Sequence, residues 1–255
     1  MNAIEAMTVT EQRAELPIHY AELESIYSQT IDRGVRSLAI TSCNGGEGTT
    51  TLACALAKRA QAGGHRTLLI DMNFCRPAIG PELGIEQKPW RSLERHFSDE
   101  IELTPAQADY QGEGCLAVLP GPATPTGSLL LREKQYLDRC IQAWLAEYEV
   151  VIIDTSPLNA INRHNIPAER IAAECDGVLL TVRAGVTLQS QVVSAVARLE
   201  AMDVQLSGCV FNDIENPSLA EELIRETHRL QRWLPGLMSW LRQRVQRSAL
   251  LNMGL

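Results

Sequence analysis

Lysine is nearly absent: Lys58, Lys88 and Lys134 stand against twenty arginines in 255 residues. The formal net charge is -8 and the pI about 5.2. That balance argues against a dedicated nucleic-acid binder, which needs clustered basic residues to neutralise phosphates. Cysteine is present but unpaired in pattern. Cys43, Cys54, Cys75, Cys115, Cys140, Cys175 and Cys209 are an odd number with no CxxC spacing, which points away from a disulfide framework or a zinc knuckle and leaves small, reduced core residues. No run of about 18 apolar residues occurs, so no segment predicts a membrane-crossing helix. The opening MNAIEAMTVTEQRAELPIHY carries acids and no apolar centre, unlike a secretory signal.

What is present is core-forming material, 45% hydrophobic and 21% charged, in a length that suits one α/β domain. Residues 1–18 read as a leader and 19–33 as a short polar helix. Six apolar runs follow: SLAITS (37–42), TLLID (67–71), CLAVLP (115–120), VVIID (150–154), GVLLTV (177–182) and VQLSGCVFN (204–212). Runs this short and this continuously apolar suit strands buried on both faces. Between them Thr50 to Ala62, Ser128 to Tyr148 and Gln189 to Met202 place apolar residues at three and four spacing, which predicts helices. Strand alternating with helix predicts a mostly parallel sheet with right-handed crossovers. The stretch from Ile79 to Gly114, with Pro81, Pro89 and Pro105, reads as a surface excursion with a helix near Trp90 to Phe97.

In such a sheet, ligands bind beyond the carboxyl ends of the strands, and polar residues cluster there. The first strand runs into CNGGEGTTT. Gly45, Gly46 and Gly48 permit a tight curl, backbone N–H groups from Asn44 to Thr50 converge on an anion, and the following helix adds its dipole. Thr50 stands where a Mg²⁺-binding hydroxyl is expected. Thr49 occupies the place where such loops carry lysine. A glycine-rich turn with Thr49, Thr50 and Thr51 as caps fits the loop alone equally well. The second strand ends in Asp71 and the fourth in Asp154, each a common turn or helix cap on its own. Together, in this order after the loop, the two carboxylates resemble a Mg²⁺ nucleotide site in which one holds the metal and the other orients a nucleophile.

The succession ITS-x-x-GGEG-TT-T, LLID-x-N-x-x-RP, LAVLP-G, YEVVIIDTSP, DGVLLTVRAG and G-CVFN resembles the cytoplasmic domain of bacterial tyrosine autokinases (BY-kinases) of capsule and exopolysaccharide assembly, within the deviant-Walker P-loop ATPases. The resemblance runs from about Ser37 to Asn216 and implies a P-loop NTPase-like fold over 34–217. It implies a nucleotide site of Gly45, Gly46, Glu47, Gly48, Thr49, Thr50, Thr51 and Asn212, with Asn212 at the adenine, and Mg²⁺ held by Thr50, Asp71 and Asp154. ATP and Mg²⁺ are the cofactors it implies, and an inner-membrane polysaccharide chain-length or co-polymerase protein the partner, with a homo-oligomer open. Asp71 and Asp154 are the candidate catalytic groups. The departures fall on the chemistry. Thr49 and Asn44 replace loop lysines of the wider family, and Asn73 replaces the second acid of the Walker A′ motif. Cys75 replaces an arginine, and Ser156 a proline. Glu22, Ser25 and Ser28 keep only the acid of an oligomerisation motif, and no tyrosine follows Tyr148. Losing one positioned donor costs about 3 to 4 kcal/mol in such sites, so the pattern leans away from catalysis and leaves ATP and Mg²⁺ binding in question.

From Ser218 the chain turns basic, with six arginines and one acid in its last thirty-one residues. Pro235 and Gly236 split 218–255 into two predicted helices. Leu234, Leu237, Met238, Leu241 and Val245 line one face of the second, with Trp240 at its edge. Trp233, Leu237, Trp240, Leu241 and Val245 are the candidate docking residues, for a partner, for the parent domain or for an anionic membrane surface. Three readings stay open: a pseudokinase-like scaffold of exopolysaccharide synthesis or export, an active ATP-dependent tyrosine kinase or ATPase, and a membrane-surface positioning protein. The expected place of the chain is the cytoplasm, with a peripheral position at the inner membrane left open.

Overall fold

A computed structural model describes residues 20–74, 76–87, 104–105, 114–122, 130–160 and 165–213, with backbone alone at 104, 105 and 130. Its elements in chain order are α1 (Ala21–Gln29), β1 (Ser37–Ser42), α2 (Thr49–Ala62), β2 (Thr67–Asp71), α3 (Ile79–Leu83), β3 (Thr104–Pro105), β4 (Leu116–Leu119), α4 (Lys134–Glu147), β5 (Val150–Asp154), α5 (Ala168–Ala172), β6 (Gly177–Arg183), α6 (Gln189–Glu200) and β7 (Gly208–Asn212). The sheet order is β3-β4-β2-β5-β1-β6-β7. Every pairing is parallel except the two-residue β3 against β4.

The apolar runs explain this order. β1, β2 and β5 are buried at every position, as central strands covered on both faces must be. Two cores result. Leu38, Ile40, Leu69 and Ile152 face α2 and α1, with Leu52, Leu56 and Ala60. Ala39, Leu68, Val151, Ile153 and Leu180 face the other way, onto Leu137, Ile141 and Trp144 of α4, Ile171 of α5, and Ala195 and Leu199 of α6. The connection after β1 carries α2 toward β2, and the connection after β5 runs the opposite way across the sheet to β6. The carboxyl ends of β1 and β5 therefore meet at the switch point where parallel sheets open a crevice. On the far side of α2, the Arg59 guanidinium lies 4.0 Å from the Tyr27 ring centroid, and its Nη2 donates to Glu24 Oε2 at 2.8 Å, fastening α1.

Several boundaries differ from the periodicity. The predicted helix from Ser128 begins at Lys134, because Leu130–Arg132 forms a 3-10 turn in which Leu131 is buried and Arg132 Nη2 donates to Asn165 O at 2.6 Å. The last strand starts at Gly208 rather than Val204: after α6 the backbone turns through Asp203 at φ 58, Val204 N closes onto Leu199 O, and Ser207 N bonds Val178 O. The surface excursion contains α3 and β3, which its prolines concealed; the helix expected at 90–97 lies outside the described residues. The chain divides into two compact units, Met1–Arg183 with Thr187–Asn212, and Ala184–Val186 with Asp213–Leu255. Of the second, 184–186 and 213 are described. The predicted tail helices and all five docking candidates lie outside the described residues. No helix among the described residues is long and apolar enough to cross a membrane.

Candidate functional site

The loop from Cys43 to Gly48 joins the buried end of β1 to the first turn of α2. Gly46 and Gly48 take φ of 84 and 91, conformations that favour glycine. At Gly48 the need is doubled, since a Cβ there would lie 2.4 Å from Asn212 Nδ2. Gly45 and Gly46 are exposed at the mouth, and Glu47 is buried beneath them.

Glu47 organises the loop from inside. Its Oε2 accepts from Cys43 N at 2.8 Å, and its Oε1 accepts from Asn44 Nδ2 at 3.0 Å and Thr187 Oγ1 at 2.6 Å. Its backbone carbonyl accepts from Asn212 Nδ2 at 3.2 Å. A carboxylate accepting three hydrogen bonds is well compensated for its burial.

Position 49 faces the sheet. Thr49 Oγ1 lies 3.0 Å from Thr181 Oγ1, and Thr181 Oγ1 in turn donates to Thr41 O at 3.1 Å. With the Thr181 proton directed at that carbonyl, Thr49 is the donor of the pair. The side chain that replaces lysine therefore points into β6 and binds protein. Thr50, one residue on, is half-buried and donates to Asp154 Oδ2 at 2.6 Å. Thr51 is half-buried on the same first turn of α2.

Asp71 and Asp154 are register partners at the ends of β2 and β5. Their surroundings differ. Asp71 is a cap: Oδ1 accepts from Asn73 N at 3.0 Å, and Oδ2 accepts from Ala78 N at 2.7 Å and Ile79 N at 3.0 Å, at the start of α3. Burial pushes its pKa up to about 6 against the opposing pull of those N–H groups. Asp154 is held above the usual carboxylate range by burial and by the neighbouring Asp71 charge, with the Thr50 bond acting the other way. Its Oδ1 is buried and has no hydrogen-bond partner among the described residues.

That orphan oxygen beside the Thr50 hydroxyl fits a hard cation such as Mg²⁺, which takes one or two protein oxygens and fills its shell with water and phosphate. Asp71 fits direct coordination less well, because both its oxygens already accept backbone N–H groups. Among the described residues no three His, Cys, Asp or Glu side chains converge as a metal centre. The structure thus brings together Gly45, Gly46, Glu47, Gly48, Thr49, Thr50, Thr51, Asp154 and Asn212, with Asp71 alongside.

Three partners were not among the sequence candidates. Thr181 and Thr187 carry no local signature, since each meets the loop from more than 130 residues away. Arg76 was legible only as part of the RP dipeptide, yet its Nη1 lies 3.8 Å from where a Cβ on Gly45 would sit. Ser156, in the place of a family proline, is buried and donates to Ile166 O at 3.3 Å.

A loop of this shape at the switch point of a parallel sheet is shared by many proteins. The decisive match is to the CobQ/CobB/MinD/ParA nucleotide binding domain, whose model fits residues 38–250. The chain belongs to that family. Within it, the protein is similar to tyrosine-protein kinase CpsD of Streptococcus pneumoniae, 26% identical over 181 residues that cover 71% of this chain and 77% of CpsD. It is likewise similar to tyrosine-protein kinase YwqD of Bacillus subtilis, 29% identical over 184 residues covering 72% and 74%. Among solved structures, the kinase domain of the Escherichia coli tyrosine kinase ETK superposes with a TM-score of 0.63 at 18% identity, covering 84% of this chain and 87% of that one. This family member thus shares the fold of the BY-kinase domains and carries Thr49 in its loop.

Proposed function

We propose that the chain is a pseudokinase-like regulatory or scaffolding module of exopolysaccharide synthesis or export, one that holds a nucleotide weakly or not at all and does not transfer its phosphate. The observation that carries this is the side chain at position 49, a hydroxyl bonded to Thr181 in the place of the phosphate-contacting lysine. Without that donor the loop's own atoms offer backbone N–H groups and a helix dipole, which attract an anion but bring no full charge from inside the loop to a transferring phosphoryl group. The similarity to the tyrosine-protein kinases CpsD and YwqD supports the reading of a kinase-related domain.

In this reading the domain at 34–217 acts at the cytoplasmic face of the inner membrane, bound to a polysaccharide chain-length or co-polymerase protein. The basic segment 218–255 docks through Trp233, Leu237, Trp240, Leu241 and Val245. If Mg²⁺ accompanies a nucleotide, Thr50 and Asp154 would hold it, and the ion would neutralise phosphate charge. The retained Thr50–Asp154 pair also supports a second reading, an active ATP-dependent kinase or ATPase.

Purified protein, assayed for Mg²⁺-dependent ATP hydrolysis and autophosphorylation beside Thr49→Lys, separates the two. The unmodified chain is expected to turn over no faster than a buffer control. Rapid Mg²⁺-dependent turnover by the unmodified chain would sink the pseudokinase reading.

A further inference from the structure

We propose that Arg76 supplies, from the loop between β2 and α3, the positive charge over the glycine loop that lysine supplies from position 49 elsewhere in the family, so that a polyphosphate is bound through Arg76. This deepens the reading above, on which it rests, by assigning the phosphate contact to a residue on another element.

The need for such a charge follows from the site itself. Backbone N–H groups and one helix dipole offer a polyphosphate only partial charges. Thr49 brings none and is turned into β6. Lys58 is more than two helical turns along α2 from the loop. Arg76 is exposed, and its Nη1 lies 3.8 Å from where a Cβ on Gly45 would sit, which places the guanidinium at the mouth of the loop. Among the described residues no carboxylate forms an ion pair with Arg76. A planar guanidinium can take two phosphate oxygens at once, which an ammonium cannot.

The placement of Arg76 is built into the fold. Arg76 N donates to Asn73 O at 3.1 Å, Pro77 restricts the backbone before it, and Asp71 fastens both ends of the segment through Asn73, Ala78 and Ile79. Asp71 is thereby a positioning residue for Arg76. A second, independent feature marks the same site as incomplete: the buried Asp154 Oδ1 at the foot of the loop lacks a partner among the described residues, as a group awaiting a cation or a proton would. A bound Mg²⁺-polyphosphate satisfies both ends, with Arg76 outside and Thr50 and Asp154 within.

Isothermal titration of the full chain with ADP and with inorganic pyrophosphate, each with Mg²⁺, tests this on the unmodified protein, Arg76→Ala, Arg76→Lys and the double variant Thr49→Lys/Arg76→Ala. The unmodified chain is expected to bind both probes. Arg76→Ala should weaken each by about tenfold or more, the size of one charge-assisted hydrogen bond. Arg76→Lys should fall between, and the lysine introduced at position 49 of the double variant should restore the affinity that Arg76→Ala loses. Melting without ligand should be unchanged, since Arg76 is exposed. Equal affinity of Arg76→Ala and the unmodified chain overturns the proposal, as does failure of the unmodified chain to bind either probe. Neither result bears on turnover, so the pseudokinase reading stands or falls separately.

Discussion

Two aspartates sit side by side at the ends of neighbouring strands, equally buried and equally apolar in what precedes them, and they have different occupations. Asp71 accepts three backbone N–H groups and ties down the segment from Asn73 to Ile79. Asp154 accepts one hydroxyl, from Thr50, and leaves a buried oxygen bare. A carboxylate whose lone pairs are used by the backbone is part of the scaffold. One that keeps an unpaired oxygen against its own desolvation cost is poised for a ligand. Position in a motif does not separate these roles; the local hydrogen bonding does.

The sharpest way to break the comparison is Asp71→Ala. Three N–H groups, that of Ile79 buried and those of Asn73 and Ala78 half-buried, lose their acceptor at once, so a loss of about 3 kcal/mol is expected in urea denaturation, with some relaxation of the loop toward water.

Removing the other carboxylate should act in the opposite direction. Native Asp71 holds its proton up to about pH 6 instead of the ordinary 3.8, and Asp154 is raised as well. A raised native pKa means the folded state binds more protons than the unfolded one, so stability falls as pH rises from about 4 through 6 and stays reduced above. Asp154→Asn removes one charge of the pair while keeping an oxygen for Thr50. It should therefore be more stable than the unmodified chain by about 1 to 2 kcal/mol at pH 8. It should be nearly equal at pH 4, where Asp154 is protonated. Melting curves at both pH values check this; a stability gain at pH 4 as large as that at pH 8 would contradict it.

The smallest effect is expected from Thr50→Val, which strips Asp154 of its remaining partner. A loss of about 1 kcal/mol at pH 7 should shrink toward acid pH as the carboxyl takes up a proton. Chemical denaturation across that range would show it.

How much of this could be read in advance varies by residue. SLAITS, TLLID and VVIID announced β1, β2 and β5 to the residue, because a short run with no polar position can be satisfied only by burial on both faces. VQLSGCVFN was four residues too long at its start, because a turn at Asp203 and the packing of Val204 depend on α6. Gly48 was legible as a loop glycine, and its φ of 91 demands one; that a side chain there would also meet Asn212, at the far end of the domain, was not legible. The threonines at 49, 50 and 51 looked interchangeable as caps, but one faces β6 and the next faces Asp154.

By itself, then, the sequence determined the alternation of strand and helix, the glycine loop at the end of the first strand, and the two acids at the strand tips. All of these rest on local periodicity and steric permission. Only the tertiary structure decided which acid keeps a free oxygen, where the hydroxyl of Thr49 goes, and that the charge of Arg76 arrives over Gly45. Those outcomes depend on contacts between residues far apart in the chain, which no local pattern encodes.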